Sequence, residues 1–174
     1  MSTEEQELIR RLQLGDDRFA FEALVRLHQQ SVRAFLARLC GQDQAWADDL
    51  AQDTFLTAHH HRLRFTHRSS YKTWLLGIAR NLYRNSARRE KLRTRNTELP
   101  QDLAAPEARS REDLNEELSR AITMLTADQQ QVLHLVYLEQ LPLADAAEIM
   151  QIPLNTAKSH LARAKTRLRE LLPS

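Results

Sequence analysis

An all-α fold, two small helical domains joined by a flexible linker, is what this sequence predicts. Three observations predict it. Apolar residues recur at the 3.6-residue helical period through most of the chain. Period-2 runs of Val, Ile and Thr, the signature of strands, are absent, and glycine is scarce, with three in 174 residues. Between residues 94 and 112 the helical pattern lapses into Pro100, Pro106, Glu98, Asp102 and Glu107, with few large apolar residues. This divides the chain into residues 1–93, a linker 94–112, and residues 113–174. Hydrophobic content of 42% is enough for packed cores on either side.

The elements follow in order. Residues 4–14 read as a first helix, closed by Gly15. Asp16 or Asp17 caps a second, which runs to about Leu39 with Phe19, Leu24, Leu27, Val32, Phe35 and Leu36 as core candidates. Gly41 breaks it, and Cys40 just before is expected to pack as a small side chain. A third helix covers about residues 43–60, and residues 62–70 form a polar, basic loop. Ser69 or Ser70 then starts a long helix to about Arg93. Fully extended, the nineteen linker residues would reach roughly 60 Å at about 3.3 Å each. Beyond them, residues 113–125 form a helix, and Thr126 with Gln129 makes a capping box for another, through about Leu138. Two further helices, starting near Leu143 and Leu154 and joined by a tight turn, make a helix-turn-helix before Pro173 closes the chain.

Charge is distributed unevenly. The net charge is only +2, yet residues 1–93 carry 16 Lys and Arg against 11 Asp and Glu. Residues 113–174 are acidic overall, but all but one of their basic residues lie between Lys158 and Arg169. Such local placement suits a helix that reads DNA. A single cysteine excludes an internal disulfide. No apolar run reaches transmembrane length and the N-terminus is acidic rather than signal-like, so a soluble cytoplasmic protein is expected.

Three helix faces carry the chemistry. On the last helix, Leu154, Ala157, Leu161, Ala164, Leu168 and Leu171 form an apolar stripe. Asn155, Thr156, Ser159 and Arg163 project from the other side, all residue types that bond base edges. Lys158, Lys165, His160 and Arg167 flank them, as suits phosphates. On the helix before the linker, Arg80, Arg84, Arg88 and Lys91 share one sector over roughly 16 Å. Asn81, Thr73 and Gly77 lie in or beside that sector, while Leu75, Ile78 and Leu82 point into a core. No carboxylate interrupts the basic strip, because Glu90 lies off it, so a polyanion is the natural partner. On the third helix, Trp46, Ala47, Leu50, Ala51, Thr54, Phe55 and Ala58 form the buried side. Asp48, Asp49, Gln52 and Asp53 oppose them with Leu56 in their midst, an acidic face with an apolar anchor that fits a basic protein surface.

His59, His60, His61 and His67 invite a metal reading. Adjacent histidines on a helix diverge by 100°, and no well-spaced Cys or carboxylate completes a set. A solvated helix end is the expectation. The sequence holds no nucleophile–base pair and no phosphate-binding glycine loop, so neither cofactor, metal nor catalysis is expected.

These segments resemble a family. Residues 48–56 are similar to the part of bacterial sigma factors that docks on the RNA polymerase clamp. Residues 69–75 followed by 78–81 resemble their promoter-melting, −10-reading helix, and the C-terminal motif resembles their −35 module. Order and spacing match the two-domain extracytoplasmic-function group. The resemblance implies core RNA polymerase as partner, through its β′ clamp and β subunit, with Asp48, Asp49, Gln52, Asp53 and Leu56 at that contact. It implies a −10 interface of Arg62, Arg64, Arg68, Ser69, Lys72, Arg80, Asn81, Arg84 and Arg88, whose loop receives a flipped base. It places Asn155, Thr156, Lys158, Ser159, His160, Arg163 and Arg167 at the −35 major groove. The linker would thread through polymerase, and an anti-sigma protein would hold the chain inactive. The sequence departs from the family at Gln151, where a turn glycine is usual, and at His160, Asn85 and His59, where arginine, aspartate and tryptophan are common. The first rival is a free-standing helix-turn-helix regulator that binds DNA without polymerase, and the second, from another class, is a metal-dependent enzyme using the histidine cluster.

Overall fold

The computed structural model describes residues 3–15, 17–41, 43–94 and 112–172, all helices and connecting turns with no strand among them. The expected linker falls almost entirely outside the described residues, as do Asp16 and Pro173. Two compact units form, one within Met1–Pro100 and the other within Gln101–Ser174.

The first unit packs α1 (Thr3–Leu14), α2 (Arg18–Leu39), α3 (Gln44–His60) and α4 (Tyr71–Thr94). Asp17 caps α2 by accepting the Ala20 N–H, and Asp43 caps α3 by accepting that of Trp46. Gly41, at φ 62, supplies the left-handed residue after α2. Cys40 beside it is buried, and burial with nearby Asp43 pushes its thiol up to about 11, leaving it inert.

The buried arc of α2 differs from the expected one. It runs Ala20, Leu24, His28, Val32, Phe35 and Leu36, while Phe19 and Leu27 are 64% and 56% exposed. Ala20 and His28 stand one residue on from them, so the true stripe is rotated by about 100° there. His28 can occupy a core position because Glu5 of α1 meets it, with Nε2 and Oε1 3.0 Å apart. Ile9 and Leu12 complete the buried face of α1.

The second unit packs α5 (Glu112–Thr123), α6 (Ala127–Leu133), α7 (Leu143–Met150) and α8 (Leu154–Leu171), with α8 touching the other three. Thr126 and Gln129 form the expected capping box, both bonds present. The helix they start does not stay α to Leu138. A π turn spans His134–Leu138, closed by the Glu139 N–H on the His134 carbonyl at 3.0 Å. On an α-helix residues five apart diverge by about 140°. The wider turn lets His134 Nε2 meet Glu139 Oε1 at 3.2 Å, both buried.

Between α7 and α8 the chain makes a Schellman turn. The Ile152 N–H reaches the Ala147 carbonyl at 3.1 Å and the Gln151 N–H that of Glu148 at 3.0 Å. Gln151 takes the left-handed position at φ 54. The residue that departs from the family's glycine thus adopts a glycine conformation, at a cost on the order of 1 kcal/mol. The small Ala147 is buried in α7, and Ala157 and Ala164 are buried in α8.

Candidate nucleic-acid interface

Helix α8 begins directly after Pro153, whose carbonyl accepts the N–H groups of Thr156 and Ala157. Ala157 and Ala164 are its only fully buried residues; Leu161, Leu168 and Leu171 are half-buried, and Leu154 is exposed rather than part of the stripe. Asn155, Lys158, Ser159, Arg163 and Arg167 are exposed, and Thr156 and His160 half-buried. Ser159 donates its hydroxyl to the Asn155 carbonyl at 2.9 Å, so it is left to act as an acceptor. Arg167 is paired with Glu170 at 3.0 Å. Lys165 lies over the Tyr137 ring, 5.3 Å from its centre, and so reaches back to the π turn.

On α4 the basic strip is narrower than expected. Arg80 is buried, 8% exposed, and Thr73 is buried with it. The cause is that both α2 and α3 pack on α4, which widens the buried arc to Thr73, Leu75, Leu76, Ala79 and Arg80. Ile78 and Leu82, expected in the core, are only half-buried. Asn81, Arg84, Asn85 and Arg88 face outward at the i, i+3, i+4, i+7 spacing of a single helix face, and Arg89 and Glu90 after them are exposed too. The side chain of Lys91 lies outside the described ones. Ser70, not Ser69, closes the N-terminus of α4, its hydroxyl accepting the Thr73 N–H at 3.0 Å. Ser69 and Lys72 are half-buried beside it.

The loop before α4 is built around Phe65. Its buried ring meets Tyr71 edge-on, centroids 5.2 Å apart, and Trp74 at 5.4 Å. A 3-10 turn, Arg62–Arg64, precedes it, and His67 follows in a left-handed conformation at φ 57. Arg64 and Arg68 are exposed. Arg62 is half-buried and turned inward, donating to the His59 carbonyl at 3.2 Å, so it finishes α3 rather than facing out. His59 itself lies edge-on to Phe21 at 4.7 Å, packing as an aromatic residue.

On α3 the expected buried residues are buried, Trp46 partly, its indole N–H donating to Ser86 of α4 at 3.1 Å. Asp49, Gln52, Asp53 and Leu56 are exposed at the same i, i+3, i+4, i+7 spacing, Leu56 by 49%. Asp48 sits aside from them, half-buried and paired with Arg33 of α2 at 3.3 Å.

Comparison with known proteins gives these faces a frame. The family models for Sigma-70 region 2 and Sigma-70 region 4 match residues 24–93 and 115–168. The extracytoplasmic-function RNA polymerase sigma factor SigC of Mycobacterium tuberculosis is 41% identical, covering 86% of this chain and 81% of that one. An RNA polymerase sigma-H factor of Pseudomonas aeruginosa is 29% identical over 93% of this chain and 90% of its own. Among solved structures, the sigma factor RpoE of Bartonella quintana, in complex with the anti-sigma factor NepR, superposes with a TM-score of 0.73. It is 29% identical and covers 87% of this chain and 95% of its own. This chain belongs to the extracytoplasmic-function sigma factors.

As a sigma factor it binds core RNA polymerase and directs promoter-specific initiation. The region 2 match takes in α3, the loop and most of α4, and the region 4 match runs from within α5 to near the end of α8. Helix α1 lies outside both. No helix among the described residues of this sigma factor is long and apolar enough to cross a membrane. The Glu5–His28 pair is hidden in the sequence because its partners are 23 residues apart, and Gln13 gives no signal because its bonds reach to residues 62 and 65.

Proposed function

We propose that this sigma factor divides its work among the three faces, and that the first unit spans residues 1–93 and the second 113–174. Asp49, Gln52, Asp53 and Leu56 dock on the polymerase clamp, with Asp48 holding α3 to α2 through Arg33. The loop with Arg64, Arg68 and Ser69, followed by Lys72, Asn81, Arg84 and Arg88, engages the −10 element and its opened strand. Asn155, Thr156, Lys158, Ser159, His160, Arg163 and Arg167 lie at the −35 major groove, with Asn155, Thr156, Ser159 and Arg163 toward bases and Lys158, His160 and Arg167 toward phosphates. The observation that carries this reading is the pair of outward arcs on α3 and α4, one acidic and one basic, within a single four-helix unit. A DNA-binding regulator has no use for the acidic one.

The chain has no chemistry of its own in this scheme; it supplies specificity to an enzyme in the cytoplasm. The likeness to a sigma factor solved with an anti-sigma partner supports control by such a protein here too. Run-off transcription with purified core polymerase tests the proposal. The sigma factor should co-elute with core and yield promoter-dependent transcripts. A chain that binds promoter DNA but neither co-elutes nor supports transcription is the free-standing regulator instead.

A further inference from the structure

Helix α1 is held to the first unit by Ile9, Leu12 and the buried Glu5–His28 pair, and its last full turn carries Gln13. The Gln13 side chain donates from Nε2 to two main-chain carbonyls, that of Arg62 at 3.1 Å and that of Phe65 at 2.8 Å. Both partners are acceptors only, so the amide nitrogen must face them, and its two hydrogens are both used. The two carbonyls bracket the 3-10 turn Arg62–Arg64. The same loop is gripped from the other side by the Phe65 ring on Tyr71 and Trp74. Between these two holds and the start of α4 only a short stretch stays outside: Thr66, His67 and Arg68 are exposed, with His67 left-handed.

We propose that Gln13 is a positioning residue for promoter opening: through its two bonds to the Arg62 and Phe65 carbonyls, α1 fixes the loop that receives the −10 strand. The inference rests on the assignment of that loop to the −10 element. Gln13 touches no DNA. It acts by removing freedom from a loop whose residues must meet an extruded base, where a loosely held receptor loses much of its effect.

The test compares Gln13→Glu and Gln13→Lys in the full chain. Glutamate matches glutamine in shape, but its carboxylate cannot donate and faces two carbonyl oxygens. Lysine restores a donor. In Gln13→Glu, amide hydrogen exchange across the 62–68 loop should quicken by about tenfold, the loss of bonds worth on the order of one such factor. With core polymerase, and a promoter selected by the wild-type holoenzyme from a randomised library, permanganate reactivity of unpaired −10 thymines should fall by about the same factor. Co-elution with core should be unchanged, and Gln13→Lys should recover most of both losses. Unchanged loop exchange would show that Gln13 does not hold the loop. Faster exchange with wild-type opening would show that holding it does not matter. Loss of core binding in Gln13→Glu would make Gln13 a general structural residue, and each of these overturns the proposal. If the wild-type chain opens no promoter at all, the −10 assignment fails and the promoter role of Gln13 with it, while the exchange result still decides what Gln13 holds.

Discussion

His28 occupies a core position on α2, with the Tyr71 ring 5.6 Å away and the Glu5 carboxylate in hydrogen-bond contact. Burial holds its pKa below the ordinary 6.5; Glu5 opposes this and Lys72 adds to it. The unfolded chain therefore takes up a proton on this group before the folded one does. Stability is full above 6.5 and falls as the pH drops through it toward the lower folded value. One such group contributes a slope of at most about 1.4 kcal/mol per pH unit. Thermal unfolding of the first unit should thus shift to lower temperature between pH 7.5 and pH 5.5, about neutral to mildly acidic, and the double variant Glu5→Leu/His28→Leu should flatten that dependence. A slope that survives in the double variant assigns it elsewhere. The pair also shows where residue-level reading stops. A histidine at a core register looks like a surface residue until its partner is known, which is why the expected stripe adds Phe19 and Leu27 to Leu24, Val32, Phe35 and Leu36 and omits His28. The left-handed turn at Gln151 is legible only through the family resemblance, which places a glycine there; the residue itself does not announce φ 54.

Elements were easier to read than their faces. Residues 43–60 and the helix after Ser70 were anticipated nearly to the residue, because Asp43 and Ser70 are caps whose chemistry is local. The buried arc of α4 was not, because its width depends on how many helices cover it. With α2 and α3 both in contact, Arg80 goes inside and Asn85 joins the outer face. The π turn at His134–Leu138 was equally out of reach, resting on a buried pair that closes only once the turn has widened. The acidic face of α3, in contrast, survives as an intact arc apart from Asp48. Reversing it with Asp49→Lys and Asp53→Lys should lower affinity for core polymerase by at least about tenfold, since like charges would then meet a basic surface. Both side chains are exposed, so the melting of the first unit should move by no more than about 0.5 kcal/mol in stability. Unchanged binding in a competition assay against wild type would remove this face from the polymerase contact.

At the scale of the whole molecule, the question is what fixes the distance between the two readers. Each unit has its own core, and the nineteen residues the sequence leads one to expect as a linker, 94–112, would span roughly 60 Å if extended. A free-standing regulator so built would tolerate changes in the separation of its two DNA elements. Inserting five base pairs moves one element by roughly 17 Å and turns it by about half a helical turn. In such a regulator a tether of that reach would absorb the translation, and a unit free to swing would follow the rotation. A sigma factor does not have that freedom if α3 and the second unit are both seated on polymerase, because the enzyme then sets one spacing and one angular register. On a selected promoter, the five-base-pair insertion should therefore reduce run-off transcript to the level of a promoter with no −35 element. A ten-base-pair insertion, which restores the angle but not the distance, should not rescue it. Transcription that tolerates either insertion would mean that the two units read DNA independently and that polymerase does not hold them in register.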